Sequence, residues 1–190
     1  MNKNCLLCGV GGQGTVLAAK ILSAAAMEKG LSVKSAETIG MAQRGGSVVS
    51  HVRIGENVHS PLIPHSCADV VISFEPAEAV RNLCYLKKDG LLITAQKAVM
   101  PVTASLGGCK YNGEEMLGYL RTNVNNLCVI DGEKAVAELG SSKVLNIVLL
   151  GAAVKSGALG FTFSEIEEII RKSVKEQFVE LNIRALHYSE

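Results

Sequence analysis

The chain has no tryptophan and only 4% aromatic residues, so it lacks the stacking surface on which single-stranded bases are usually held. It also lacks an excess of either charge: 19 Lys and Arg stand against 18 Asp and Glu, a net charge of +1. Recruitment to nucleic acid or to an acidic membrane is therefore not expected. Long hydrophobic runs are missing as well. The strongly apolar segment Val144 to Val154 is interrupted by Asn146 and is shorter than the ~20 residues that span a bilayer. No charged n-region followed by an apolar stretch opens the chain, so secretion is not expected and the cytoplasm is the expected compartment. A length of 190 residues suffices for a sizeable core without staples, and no linker, repeat or low-complexity tract divides it, so residues 1–190 read as one domain.

Six cysteines are present, but metal-ligand spacing is not. Cys5 and Cys8 form C-x-x-C, yet inside a strand an i, i+3 pair points to opposite faces. Cys67, Cys84, Cys109 and Cys128 are scattered, with no second pair to close a tetrahedral site and no ferredoxin-type run. They read as small, reduced hydrophobes. His51, His59, His65 and His187 show no metalloprotease pattern, so no metal is assigned to this chain.

What the chain does have is Gly9-Val10-Gly11-Gly12-Gln13-Gly14, placed where a first strand turns into a first helix. Gly9, Gly11 and Gly14 satisfy G-x-G-x-x-G in that context. Such glycines let a phosphate approach backbone N–H groups at a helix N-terminus, where the dipole favours negative charge. They equally serve close packing of helix on sheet, and the motif alone leaves both roles open. Gln13 is the one side chain of the loop that can both donate and accept hydrogen bonds.

The rest alternates strand and helix signals. Cys5–Gly9, Leu31–Glu37, Asp69–Phe74, Leu91–Ala95 and Leu127–Asp131 read as strands, with Asp89-Gly90 as a turn before the fourth of these. Ser47–Ile54 alternates and is followed by the turn residues Gly55-Glu56-Asn57 and then Val58–Ser60, which predicts a β-hairpin. Pro76 suits the first position of a helix. Helices are expected over Gly113–Arg121 and Glu133–Leu139, and Val144–Lys155 reads as a buried helix, apolar nearly all round. Ser164 with Glu167 predicts a capping box for a long amphipathic helix with Ile166, Ile169, Ile170, Val174, Phe178 and Leu181 on one stripe. The fold class is α/β, three-layered, with a mostly parallel Rossmann-like sheet and an antiparallel hairpin excursion near residues 47–60.

Ligands of such sheets collect outside the carboxyl ends of the strands. Three groups fall there: the glycine loop, the segment Glu37 to Gly46, and Phe74-Glu75-Pro76. Within the second, Arg44 is followed by Gly45 and Gly46. Its guanidinium offers bidentate donors for phosphate or carboxylate, or pairs structurally with Glu37 or Glu75. Glu75 itself reads as structural, because a carboxylate beside an anion site repels the ligand. Asn146, inside an apolar helix, is expected to satisfy a buried backbone group. Gly9, Gly11, Gly12, Gln13, Gly14, Arg44, Gly45 and Gly46 are the candidate cofactor-binding residues, and no catalytic residue is named.

The pair Gly9–Gly14 and, about thirty residues on, Gly40-Met41-Ala42-Gln43-Arg44-Gly45-Gly46-Ser47-Val48 resembles the gamma subunit or domain of 2-oxoacid:ferredoxin oxidoreductases. Met41–Gly46, with Ser50-His51-Val52-Arg53-Ile54 and Ser60-Pro61 after it, is similar to the beta subunit of the indolepyruvate branch. Ala68-Asp69-Val70-Val71 to Glu75, and Asn146, also resemble the family, so the likeness covers nearly the whole chain. The resemblance implies oxidative decarboxylation of an aryl 2-oxoacid such as indolepyruvate to an aryl-acetyl-CoA, with reduction of ferredoxin. The chain carries no Gly-Asp-Gly with a downstream Asn for thiamine diphosphate, and no cluster cysteines. Thiamine diphosphate, Mg2+ and 4Fe-4S clusters are then expected in a larger alpha subunit, with coenzyme A as co-substrate and the isolated chain inactive. The alternatives are a free-standing NAD(P)-dependent Rossmann dehydrogenase, with Glu37 as the ribose carboxylate, and a non-catalytic assembly subunit.

Overall fold

In a computed structural model, which describes residues 1–37, 45–100 and 111–189, apolar strands with small residues between them assemble into one mixed sheet covered on both faces. The elements are β1 (Lys3–Val10), α1 (Thr15–Glu28), β2 (Val33–Glu37), β3 (Ser47–Ile54), β4 (Ala68–Ser73), α2 (Pro76–Arg81), β5 (Leu86–Ala95), α3 (Gly113–Asn123), β6 (Asn126–Ile130), α4 (Gly132–Leu139), α5 (Leu145–Lys155), α6 (Phe163–Ser173) and α7 (Glu176–Leu186). The sheet order is β2-β3-β1-β4-β5-β6. β3 pairs antiparallel with both β1 and β2, while β1, β4, β5 and β6 pair in parallel. The α/β, mostly parallel reading therefore holds.

Alternation of side chains sorts the core into two layers. Cys5, Leu7, Val70, Ile72 and Ile93 face α1, α4, α5, α6 and α7. Leu6, Cys8, Val71 and Leu92 face α2 and α3. Cys5 and Cys8 thus lie on opposite faces, as their spacing requires. α5 buries Asn146 through Val154 without a break, which is why it shows no polar side. α2 starts at Pro76, whose missing N–H costs nothing at that position.

Four expectations are corrected. The antiparallel excursion pairs β3 with β2 and β1, not with residues 58–60, which form no strand; a strand inserted between two others satisfies both its edges, which a short hairpin arm does not. Asp89-Gly90 is no turn: β5 runs through it from Leu86, with an irregular register between Ala68 and Val70. The capping box is Thr162 with Glu165, where each side chain meets the other's backbone N–H at 3.3 and 2.8 Å, so Ser164 lies inside the helix. The long amphipathic helix is two helices, because Val174 is extended (φ −108°, ψ 145°). The break turns α7 back onto α5, and Phe178, expected on the buried stripe, is 42% exposed.

Candidate functional site

The glycine loop joins β1 to α1 at the carboxyl edge of the sheet, and its glycines divide their work. Gly9 packs: a Cβ there would lie 2.8 Å from Gln13 Oε1 and 3.1 Å from Phe74. Gly11 pairs with the neighbouring segment. Its N–H donates to the Gly46 carbonyl (2.8 Å) and its carbonyl accepts from Gly45 N–H (3.2 Å). The two glycine segments singled out from the sequence therefore meet backbone to backbone. Arg44 lies outside the described residues, as do Thr38 to Gln43.

Gly12 and Gly14 have φ of +103° and +87°, values that disfavour any side chain. Gly14 is also the N-cap of α1 and has no side chain to offer that helix, and the first turn of α1 holds no acidic residue. N–H groups at such an end are a ready site for an anion. Gln13 acts in both senses: its Oε1 accepts from Val10 N–H (2.7 Å) and its Nε2 donates to the Phe74 carbonyl (2.9 Å).

Gly12, Gln13 and Gly14 open on a cavity of about 590 Å³, within the size range of cofactor and substrate sites. Leu17, Val136, Ala137 and Leu145 make its apolar wall, while Lys97, Glu133 and Lys143 are its charged groups. Lys97 pairs with Glu133 at 2.8 Å, and both remain more than half exposed. Asn146 also lines the cavity and is 2% exposed. Its Nδ2 donates to the Gly14 carbonyl (3.2 Å), the backbone duty expected of it, but its Oδ1 finds no donor among the described residues. An unpaired buried acceptor is costly and is suited to an N–H or O–H donor from a ligand or an ordered water. Apolar wall, cationic rim, open helix end and spare acceptor together suit an anion that carries an apolar body and hydrogen-bond donors.

Lys97 and Lys143 were not singled out in the sequence. Lys97 stands just past the end of β5, where the carboxyl-edge rule points. Lys143 had no signal, because it reaches the cavity from a turn before α5 whose position depends on helix packing.

Glu75, at the end of β4, is 1% exposed and structural, as its sequence position implied. It caps α2 by accepting Glu78 N–H (3.0 Å) and also accepts Val99 N–H (3.4 Å) and the Tyr111 hydroxyl. Glu78 accepts from Ser47 Oγ (2.5 Å) and pairs with Arg81 (3.2 Å). Burial, with Glu75 beside it, raises the Tyr111 pKa, so this hydroxyl remains a donor at physiological pH.

The described cysteines do not fit an iron–sulfur cluster. Cys5 and Cys8 face opposite sides of the sheet, and among the described residues no three His, Cys, Asp or Glu side chains come together as a ligand set; burial raises the pKa of the Cys5 thiol and pushes that of Cys8 up to about 12. Glu37 does not fit a ribose carboxylate either. In a dinucleotide fold the second strand adjoins the first, whereas here β3 stands between them and moves Glu37 about one strand spacing, ~4.8 Å, further from the glycine loop. Among the described residues, no helix is long and apolar enough to cross a membrane.

Comparison with known proteins agrees with this architecture. The family model described as pyruvate ferredoxin/flavodoxin oxidoreductase matches residues 4–189. The chain is 40% identical over 187 residues to the indolepyruvate oxidoreductase subunit IorB of Archaeoglobus fulgidus, covering 98% of this chain and 92% of that one. It is 38% identical to the subunit of the same name in Pyrococcus horikoshii, covering 96% and 91%. Its fold is similar to that of a pyruvate oxidoreductase subunit of Thermotoga maritima, with TM-score 0.73, 22% identity, and 98% and 94% of the chains covered. It is also similar to 30% of a 2-oxoglutarate:ferredoxin oxidoreductase chain of Magnetococcus marinus solved with 2-oxoglutarate, coenzyme A and succinyl-CoA, with TM-score 0.71, 18% identity and 98% of this chain covered.

Proposed function

The chain belongs to the pyruvate ferredoxin/flavodoxin oxidoreductase family, and from that premise we propose that it is the cluster-free subunit of an enzyme that oxidises aryl 2-oxoacids such as indolepyruvate. The reaction cleaves the bond between the carboxylate and the keto carbon and releases CO2. The thiol of coenzyme A forms the thioester at that carbon, and the electrons released reduce ferredoxin. Thiamine diphosphate with Mg2+ and iron–sulfur clusters, held by the larger partner subunit, supply the decarboxylation and the electron path. The compartment is the cytoplasm.

This chain contributes a binding surface. Gly14 leaves the N-terminal end of α1 without a side-chain cap, and Lys97 and Lys143 add positive charge to the same cavity. Phosphates of coenzyme A are the anion this arrangement suits, with Asn146 Oδ1 left for a hydroxyl or amide donor of the same molecule. Gly9, Gly11, Gly45 and Gly46 hold the loop in shape. The observation that carries this reading is the spare buried acceptor beside an uncapped helix end in one cavity.

Reconstitution tests it. The chain assembled with its partner should reduce an electron acceptor only with aryl pyruvate and coenzyme A both present, and the chain alone should turn nothing over. In the complex, Lys97→Ala and Lys143→Ala should each raise KM for coenzyme A about 2–5-fold at unchanged KM for the aryl pyruvate, the loss expected for an exposed charge contact. Tight binding of NADH by the isolated chain would overturn the reading.

A further inference from the structure

We propose that Glu75 is a positioning residue whose buried carboxylate holds the segment carrying Lys97 in register with the glycine loop. The inference rests on the assignment of Lys97 to the cavity made above, and goes beyond it by naming what keeps that lysine in place. Capping a helix takes one oxygen, and serine, threonine or aspartate commonly supply it. Glu75 gives Oε2 to that task, on Glu78 N–H, and keeps Oε1 for two donors from outside the helix, Val99 N–H and the Tyr111 hydroxyl. A carboxylate at 1% exposure is costly to bury unless its oxygens are satisfied. No ion pair involves it among the described residues, since Arg81 belongs to Glu78. Its donors therefore come from the segments it joins.

One of those segments, the one that contains Val99, carries Lys97 into the lining of the cavity, where the glycine loop also lies. Lys97 sits between two tethers: Gln96 N–H donates to the Ile130 carbonyl (2.8 Å), and Val99 N–H to Glu75 (3.4 Å). On the other side, the carbonyl of Phe74, the residue next to Glu75, accepts Gln13 Nε2 (2.9 Å). Ser73 Oγ donates to the Glu75 carbonyl (2.6 Å) and fixes the bend between them. Two adjacent residues at the end of β4 thus hold the glycine loop with a carbonyl and the Lys97 segment with a carboxylate. A shift of the carboxylate moves one against the other.

Tyr111→Phe tests this in the assembled complex, because it removes one donor while leaving the α2 cap intact. Glu75→Asp is the companion variant, one methylene shorter, keeping a cap but not the reach to Val99. Amide hydrogen exchange at residues 96–99 should quicken roughly tenfold in both, with α6 and α7 unchanged. KM for coenzyme A should rise several-fold at constant kcat, and that rise should vanish when Lys97→Ala is already present, since nothing is then left to position. Unchanged exchange at 96–99 in both variants, or effects that add to those of Lys97→Ala, would overturn the proposal. If Lys97→Ala alone leaves KM unmoved, the coenzyme assignment falls, and the exchange data decide the positioning role by themselves.

Discussion

The two faces of the sheet are covered by different means. Among the described residues, one carries five helices, α1 and α4 to α7, and a continuous apolar core around α5. The other carries α2 and α3 among the described residues, and the apolar side chains these bury fully are Ala79, Leu117 and Leu120. On that thinner face polar groups take over: Ser73, Glu75, Glu78 and Asn82 are all buried at or beside α2, each with hydrogen-bond partners. Apolar burial has no direction, so a thick layer stabilises without placing any one atom. Hydrogen bonds are directional, and they gather where loops must be held in fixed relation. The thick face maintains the fold, and the thin face arranges the carboxyl edge.

The largest effect expected from this contrast is a pair of truncations. Ile147→Ala, in the middle of the thick layer, should cost toward the top of the roughly 2–5 kcal/mol range for buried aliphatic residues, and Leu117→Ala toward the bottom, because α3 can settle onto a thinner layer. Urea denaturation of the chain measures both, and equal losses would break the comparison. Next is Gly151→Ala. A Cβ there would collide with the Leu186 carbonyl, so α7 must move off α5, at roughly 3 kcal/mol, the upper end for overpacking. Its kinetics in the complex should be unchanged at temperatures where it stays folded.

The smallest effect is a pH dependence on the thin face. His51 is held neutral: its Nδ1 accepts Ile63 N–H (3.2 Å), its ring meets Tyr85 edge-on, and burial lowers its pKa from the usual 6.5. The folded state then binds the proton more weakly than the unfolded chain. His51 thus contributes stability that is complete above the unfolded pKa and is lost as pH falls below about 6.5 toward the folded value. His51→Gln should flatten the fall of Tm between pH 7 and 5, and an unaltered slope would remove His51 from that account.

Legibility in the sequence followed the range of the forces involved. The glycine loop, Pro76 at the start of α2 and the all-apolar α5 were readable because each reflects a local rule of backbone or burial. Glu75 was correctly read as structural from the conflict between a carboxylate and an anion site. Its actual partners, Val99 and Tyr111, lie 24 and 36 residues on and could not be read from spacing. The break at Val174 was missed for a related reason: the hydrophobic stripe runs on across it, and only packing of α7 on α5 requires the chain to turn.

By itself the sequence determined the alternation of strands and helices, the opposite facing of Cys5 and Cys8, and the two glycine segments at one edge, since period, turn chemistry and side-chain size act over a few residues. Tertiary structure alone decided that β3 is inserted against β1, that Gly11 is bonded to Gly45 and Gly46, that Lys97 and Lys143 share a cavity, and that Asn146 keeps an acceptor unpaired beside it. Those facts depend on which distant segments the buried layers bring together, and no local pattern encodes that choice.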